Sequence, residues 1–145
     1  MTEETQKTAA RITAATARLF HQMGDATLSE FTLKTGRRVD LIALSRDQQI
    51  SVIEVKSSLA DFTSDKKWPD YPDWADRFYF AVGDEFPLDR LPDETVCGVI
   101  ITDGFDAHIW REAPEQKLPG QRRAHLIRRL AYAAMMRLSA DTRLP

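Results

Sequence analysis

The sequence predicts an α/β fold, one mixed sheet flanked by helices, and three observations predict it. Apolar residues recur at helical spacing near both ends of the chain. Between those ends, residues 27–58 read as a meander of three strands joined by tight turns. Further on, the β-branched and aromatic runs "RFYFAV" and "VCGVIIT" look like strands inside the sheet. The order is helix, three-strand meander, helix, two or three strands, helix, with no repeat or long linker. The 145 residues suffice for one core, so a single domain over residues 1–145 is expected, its first few residues flexible.

Each element has a local reason. Ile12, Ala15, Leu19, Phe20 and Met23 place a helix from Thr8 to about Met23, and Gly24 stops it. In "TLSEFTLKTGRRVDLIALSRDQQISVIEVKSS" one turn contains Gly36 and the other centres near Asp47. "LADFTSDKKW" predicts a short helix, and Pro69 and Pro72 exclude regular structure from "WPDYPDW". Trp68, Tyr71 and Trp74 in that loop either stack bases or, more often for such residues, fold back over the core. In the closing helix "QRRAHLIRRLAYAAMMRLS", the stripe Leu126, Ile127, Leu130, Ala134 and Met135 is expected against the sheet. Its arginines, Arg122, Arg123, Arg128, Arg129 and Arg137, form either a solvated face or a phosphate track.

Composition excludes several classes. A net charge of −2 gives no global basic field, so nucleic-acid binding would need a local basic surface. The single cysteine, Cys97, permits no internal disulfide and reads as a small buried residue in a reducing compartment. No apolar run approaches the roughly 18 residues of a membrane span, and "MTEETQKTAAR" has no signal-peptide core. A cytoplasmic protein without a membrane partner is expected. His21, His108 and His125 share no zinc-ligand spacing with Cys97, and no Gly-rich phosphate loop is present.

The two central strands carry charge where burial forbids it unpaired: Asp40, Glu54 and Lys56. If Ser45 to Gln49 form the hairpin loop, Leu44 faces Ile50 and Asp40 lies opposite Glu54. Lys56 follows on the same face. A similar turn at Gly36 puts Thr32 opposite Asp40, with Glu30 one pair along. The odd positions Phe31, Leu33, Val39, Leu41, Ala43, Ile53 and Val55 are all apolar, which predicts one packed face and one face with a polar end. Facing carboxylates repel, and a shared proton, Lys56 or a divalent cation could each offset that. Mg²⁺ takes oxygen ligands from one or two carboxylates and bridges to phosphate. With a lysine beside it, such a site has the parts for metal-assisted phosphodiester hydrolysis. An edge ion pair between Glu54 and Lys56, with Asp40 capping a turn, is the plainer alternative.

Asp40, then Glu54-Val55-Lys56, on adjacent strands after a helix resembles the core of the PD-(D/E)XK nuclease superfamily. "GRRVDLIAL", "IEVKSSLADFTSDKKWPDYPDWADRFYFAV" and the Arg-rich last helix further resemble the MmcB-related family of DNA-repair-associated proteins, over about residues 8–138. The resemblance implies a restriction-endonuclease-like αβββαβ core acting on DNA with Mg²⁺, or Mn²⁺ as substitute. Asp40 and Glu54 would then ligate the metal with the Val55 carbonyl, and Lys56 would be the catalytic lysine. Glu30 would add a carboxylate, direct or through water, because Glu3 and Glu4 are expected outside the first helix. Val39 stands where the superfamily motif has proline, a common departure. The superfamily also contains members that bind without cutting, so the alternative is an inactive module that binds DNA or a repair partner. Arg37 and Arg38 in the turn before Asp40, and Lys66 and Lys67 at the end of the short helix, are the candidate phosphate contacts. A solvated turn and helix-dipole compensation are the respective alternatives.

Overall fold

The computed structural model describes residues 2–141. Helix α1 (Glu3–Gln22) starts earlier than its apolar spacing suggested, because the Thr2 hydroxyl accepts the Thr5 N–H and caps it. Glu3 and Glu4 therefore lie in its first turn, not outside it. Strands β1 (Ala26–Thr32), β2 (Arg38–Leu44) and β3 (Ile50–Lys56) follow, then α2 (Leu59–Ser64) and β4 (Arg77–Gly83). The αβββαβ order is the expected one. β5 (Gly98–Thr102), β6 (Ala107–Arg111) and α3 (Gly120–Asp141) complete the chain, so three strands follow α2.

All six strands form one sheet in sequence order. β1, β2 and β3 pair antiparallel, β3, β4 and β5 parallel, and β6 antiparallel at the edge. The sheet is mixed because α2 supplies a crossover between β3 and β4, whereas tight turns join the meander.

Both sheet faces are buried. On one, Ile12 and Phe20 of α1 pack against Leu41, Ala43, Ile53, Val55, Tyr79 and Ala81. On the other, Leu126 and Leu130 of α3 meet Ile42, Ile50, Val52, Phe78, Phe80 and Val82. Burying each large apolar side chain is worth about 1.5–3 kcal/mol, which is ample reason for both layers. Trp68 stacks on Phe78 with centroids 6.2 Å apart, and Tyr71 is buried, so two aromatics of the proline-rich loop cap the core. Trp74, half-buried, packs against this core too and lies under the Arg122 guanidinium at 4.5 Å.

Two expectations about the sheet fail. Thr32 pairs with Arg38, not Asp40, and Glu30 falls opposite Asp40 between the Ser29–Leu41 and Phe31–Val39 pairs. The turn is tighter than assumed: the Leu33 N–H reaches the Arg37 carbonyl at 2.7 Å, with Gly36 at φ +90°. The odd apolar positions also do not share one face. Phe31, Leu33 and Val39 join the α3-side core, while Leu41, Ala43, Ile53 and Val55 face α1. The hairpin changes face at Asp40, opposite the point where Glu30 takes φ 51°.

The last helix also departs from its expected stripe. Ala134 and Met135 are exposed, and its buried residues, Leu126 and Leu130, lie in its first half. Among the described residues, no helix is long and apolar enough to cross a membrane.

Candidate functional site

The β2–β3 register is the one the loop length implied, with Leu44 facing Ile50 and Leu41 facing Ile53. Beyond that pair the ladder gives way to side chains. The Asp40 N–H donates to Glu54 Oε1 at 3.0 Å, and the Val55 N–H donates to Asp40 Oδ2 at 2.8 Å. Each carboxylate thus satisfies a backbone donor of the opposite strand. This exchange locks the two acids together where the strands part.

An open groove of about 1000 Å³ lies between α1 and this parting. Asp40, Glu54, Val55 and Lys56 line it, with Glu30 and Arg38 from the hairpin. Gln6 and Thr13 of α1 and Arg137 of α3 line it too. The structure therefore brings Asp40, Glu54, Val55, Lys56 and Glu30 to one groove, and Arg38 with them.

Electrostatics mark the pair. Burial, then the charge of Asp40, pushes the Glu54 carboxyl up to about 9. Burial likewise raises Asp40, against the hydrogen bonds from Val55 and Glu54. Both shifts run the same way, so burial and the neighbouring carboxyl favour the protonated form of the metal-free pair. The Lys56 charge favours ionisation of both acids, but its ion pair is with Asp65. The Lys56 Nζ sits 2.5 Å from Asp65 Oδ2, and the lysine side chain is only 5% exposed. Burial opposes ionisation of Asp65, but the Lys56 contact and the Lys67 N–H hold it below the usual carboxylate range.

The donor chemistry suits a divalent cation: two adjoining carboxyl groups, Glu54 buried and Asp40 half-buried, with the nearest ammonium ion-paired to Asp65. Among the described residues, no three His, Cys, Asp or Glu side chains converge on one point. Glu30 therefore does not complete a three-carboxylate cluster. Two carboxylates and a carbonyl, with water, remain within what Mg²⁺ accepts.

The basic candidates divide. Arg38 lines the groove, and with Arg37 and Lys67 it lines an adjoining hollow of about 730 Å³. Arg37 is ion-paired to Asp70 at 2.9 Å. Lys66 lines neither cavity. Lys66 and Lys67 do not end α2, since Asp65 caps it and its last turn holds no basic residue.

Sequence reasoning missed Asp65 and Asp61, and it read Tyr71 only as a base-stacking or core-capping aromatic. Asp61 lines the groove, and its carboxylate accepts the Ser57 N–H at 3.1 Å while Ser58 caps its own N–H. That reciprocal cap was legible in "SSLAD". The Tyr71 hydroxyl donates to the Arg38 carbonyl at 3.3 Å, and burial, then the charges of Glu54, Asp65 and Asp40, raises it to about 12. Nothing in the local sequence announced Asp65 or Tyr71, because a helix and a proline-rich loop must fold before they reach the site.

Fold and site together define a mixed α/β domain with an adjoining carboxyl pair and a buried lysine lining an open groove. The family described as "DNA repair protein MmcB-like" matches residues 2–143. A solved structure, the SPO1766 protein of unknown function from Silicibacter pomeroyi, is 45% identical, with a TM-score of 0.83. The match covers 91% of this chain and 87% of that one. No curated protein matches significantly. The chain belongs to the MmcB-like family of DNA repair proteins.

Proposed function

We propose that this protein is a Mg²⁺-dependent DNA nuclease of the PD-(D/E)XK type, acting in DNA repair. One observation carries the reading: the half-buried Asp40 and the buried Glu54, held together by exchanged backbone hydrogen bonds, open into a groove that Lys56 also lines. Asp40, Glu54 and the Val55 carbonyl would hold the cation. When bound, Mg²⁺ supplies Lewis-acid stabilisation of the phosphoryl oxygens and lowers the pKa of attacking water. The chain's own residues do the rest. The Asp40 and Glu54 carboxylates are held rigid by the Val55 and Asp40 N–H groups. Asp65 fixes the Lys56 ammonium as a point charge facing the groove, where it offsets charge developing on phosphate. Arg38, at the groove wall, neutralises a neighbouring phosphate.

A nuclease assay with Mg²⁺ and Mn²⁺ on single-stranded, nicked and branched DNA tests this. Cleavage by the wild type and at least a hundredfold loss in purified, folded Lys56→Ala is the expected result. Wild-type rates in that variant would sink the assignment. The Lys56–Asp65 ion pair, and the absence among the described residues of three acidic side chains converging on one point, favour a second reading, a module that binds DNA or a repair partner without cutting. It predicts salt-sensitive binding and no cleavage in either metal.

A further inference from the structure

The hairpin of β1 and β2 is ringed by three hollows, not one. Arg38 lines both the carboxylate groove and the hollow that holds Arg37 and Lys67. On the other side, Glu30 and Arg137 line both the groove and a third cavity, of about 480 Å³, against α3. Arg128, Arg129, His125 and Tyr132 line that third cavity as well. The basic surface is thus continuous around the β1 edge of the sheet.

The arginines of α3 fall into two groups. Near its start, Arg123 is ion-paired to Asp76 at 2.6 Å, and Arg122 covers Trp74 and donates to the Asp73 carbonyl. Those are structural. Further along, Arg129 donates one Nη2 bond to the Thr32 carbonyl and Arg137 one to the Glu30 carbonyl. Each fixes a guanidinium over β1 and leaves most of its five donors unspent. Among the described residues, no carboxylate forms an ion pair with Arg128, Arg129 or Arg137. The excess charge is felt locally: burial, then Lys34, Arg129 and Arg128, holds His125 below its ordinary value. Glu30 is the one acid among the described residues of this cavity, at its boundary with the groove. Tyr132, 69% exposed beside the arginines, offers a ring face.

We infer that Arg128, Arg129 and Arg137 form a second phosphate-binding subsite, which takes the DNA backbone as it leaves the carboxylate groove across the β1 edge. This rests on the DNA reading of the groove and extends it to the opposite layer of the sheet. A strand seated in the groove then meets cations on both sides, Arg37, Arg38 and Lys67 on one and the α3 arginines on the other. A domain of net charge −2 can grip DNA in this way, because the cations that matter are gathered at one edge.

The test is DNA binding by fluorescence anisotropy in EDTA, on a labelled 20-mer single strand and its duplex, across a salt series. Arg128→Gln, Arg129→Gln and the double variant are compared with Arg46→Gln, an exposed residue in the turn at the far end of β2. The expected result is several-fold weaker binding per arginine on whichever form the wild type binds. The log Kd against log salt slope should fall by about 0.7–0.9 for each arginine removed. Arg46→Gln should leave both unchanged. Should Arg129→Gln lose its β1 contact and unfold, Arg128→Gln and Arg128→Glu carry the test alone. Equal slopes and affinities in folded Arg128 and double variants overturn the subsite, as does a wild type that binds neither form. Cleavage is scored separately with Lys56→Ala. Loss of slope without any nuclease activity keeps the subsite and rejects the enzyme, and the reverse result does the opposite.

Discussion

At the scale of single residues, the site is held at a cost. Glu54 is 4% exposed and meets another carboxyl, so in metal-free protein it stays protonated instead of paying for an unpaired charge. Replacing it with an isosteric amide removes that cost: the Gln oxygen can still accept the Asp40 N–H, and its NH₂ can donate to Asp40. Glu54→Gln should therefore stabilise metal-free protein at neutral pH by on the order of 1–3 kcal/mol, read as a higher melting temperature, and on the nuclease reading it should abolish cleavage. A lower melting point than wild type would show that the pair stabilises the fold. Asp65 behaves in the opposite sense. Its removal leaves Lys56 buried without a partner, and Asp65→Ala should cost about 3–5 kcal/mol in chemical denaturation. Asp40, Glu54 and Lys56 were legible because charges inside apolar strands stand out against their neighbours. Asp65 was not, since an aspartate after a short helix has many ordinary reasons to be there.

At the scale of elements, legibility followed how local each contact is. The β2–β3 register could be read because the Ser45–Gln49 loop and the apolar run leave one good pairing. The β1–β2 register slipped because the Gly36 turn closes at Leu33 and Arg37, a matter of one bond that composition does not show. The face change at Asp40 was equally hidden: both faces are apolar, so alternation cannot tell them apart. Two long-range joints hold these elements. A Cβ on Gly98 would come 2.5 Å from the Ala113 backbone N and 2.6 Å from the Tyr79 ring. Gly98→Ala should lower stability by about 1–3 kcal/mol, because the backbone neighbour cannot step aside. Asp76 accepts the Ile50 and Leu118 N–H groups and both Arg123 nitrogens, tying β3, β4 and α3. Burial opposes its ionisation, but Arg123 and the two amides win and depress it. A depressed folded-state carboxyl stabilises above its ordinary value near about 3.9, and that contribution is lost as pH falls through the folded value. Asp76→Asn should melt well below wild type at pH 7, with the gap closing toward pH 3. A gap that stays constant with pH would exclude the charge as its source.

For the whole molecule, the question is whether the groove is a cation site or a buried polar scar, and stability answers it without any substrate. A ligand that binds only the folded chain stabilises it by mass action, about 2.7 kcal/mol at a hundred times its Kd. For a domain of this size that is a rise of several degrees in melting temperature. Mg²⁺ or Mn²⁺ must also displace the proton that burial favours on Glu54, so the rise should grow as pH climbs from 6 toward 9. The sign is fixed by linkage: the metal competes with a proton that the folded chain holds up to about pH 9. Glu54→Gln and Asp40→Asn should lose the rise altogether. Lys56→Ala should keep it, since its ammonium is ion-paired with Asp65 and ligates nothing. A metal-induced rise of equal size in Glu54→Gln would place the cation elsewhere and leave the carboxylate pair with a structural role. The low net charge makes the measurement clean, because a chain at −2 offers little diffuse attraction for divalent ions.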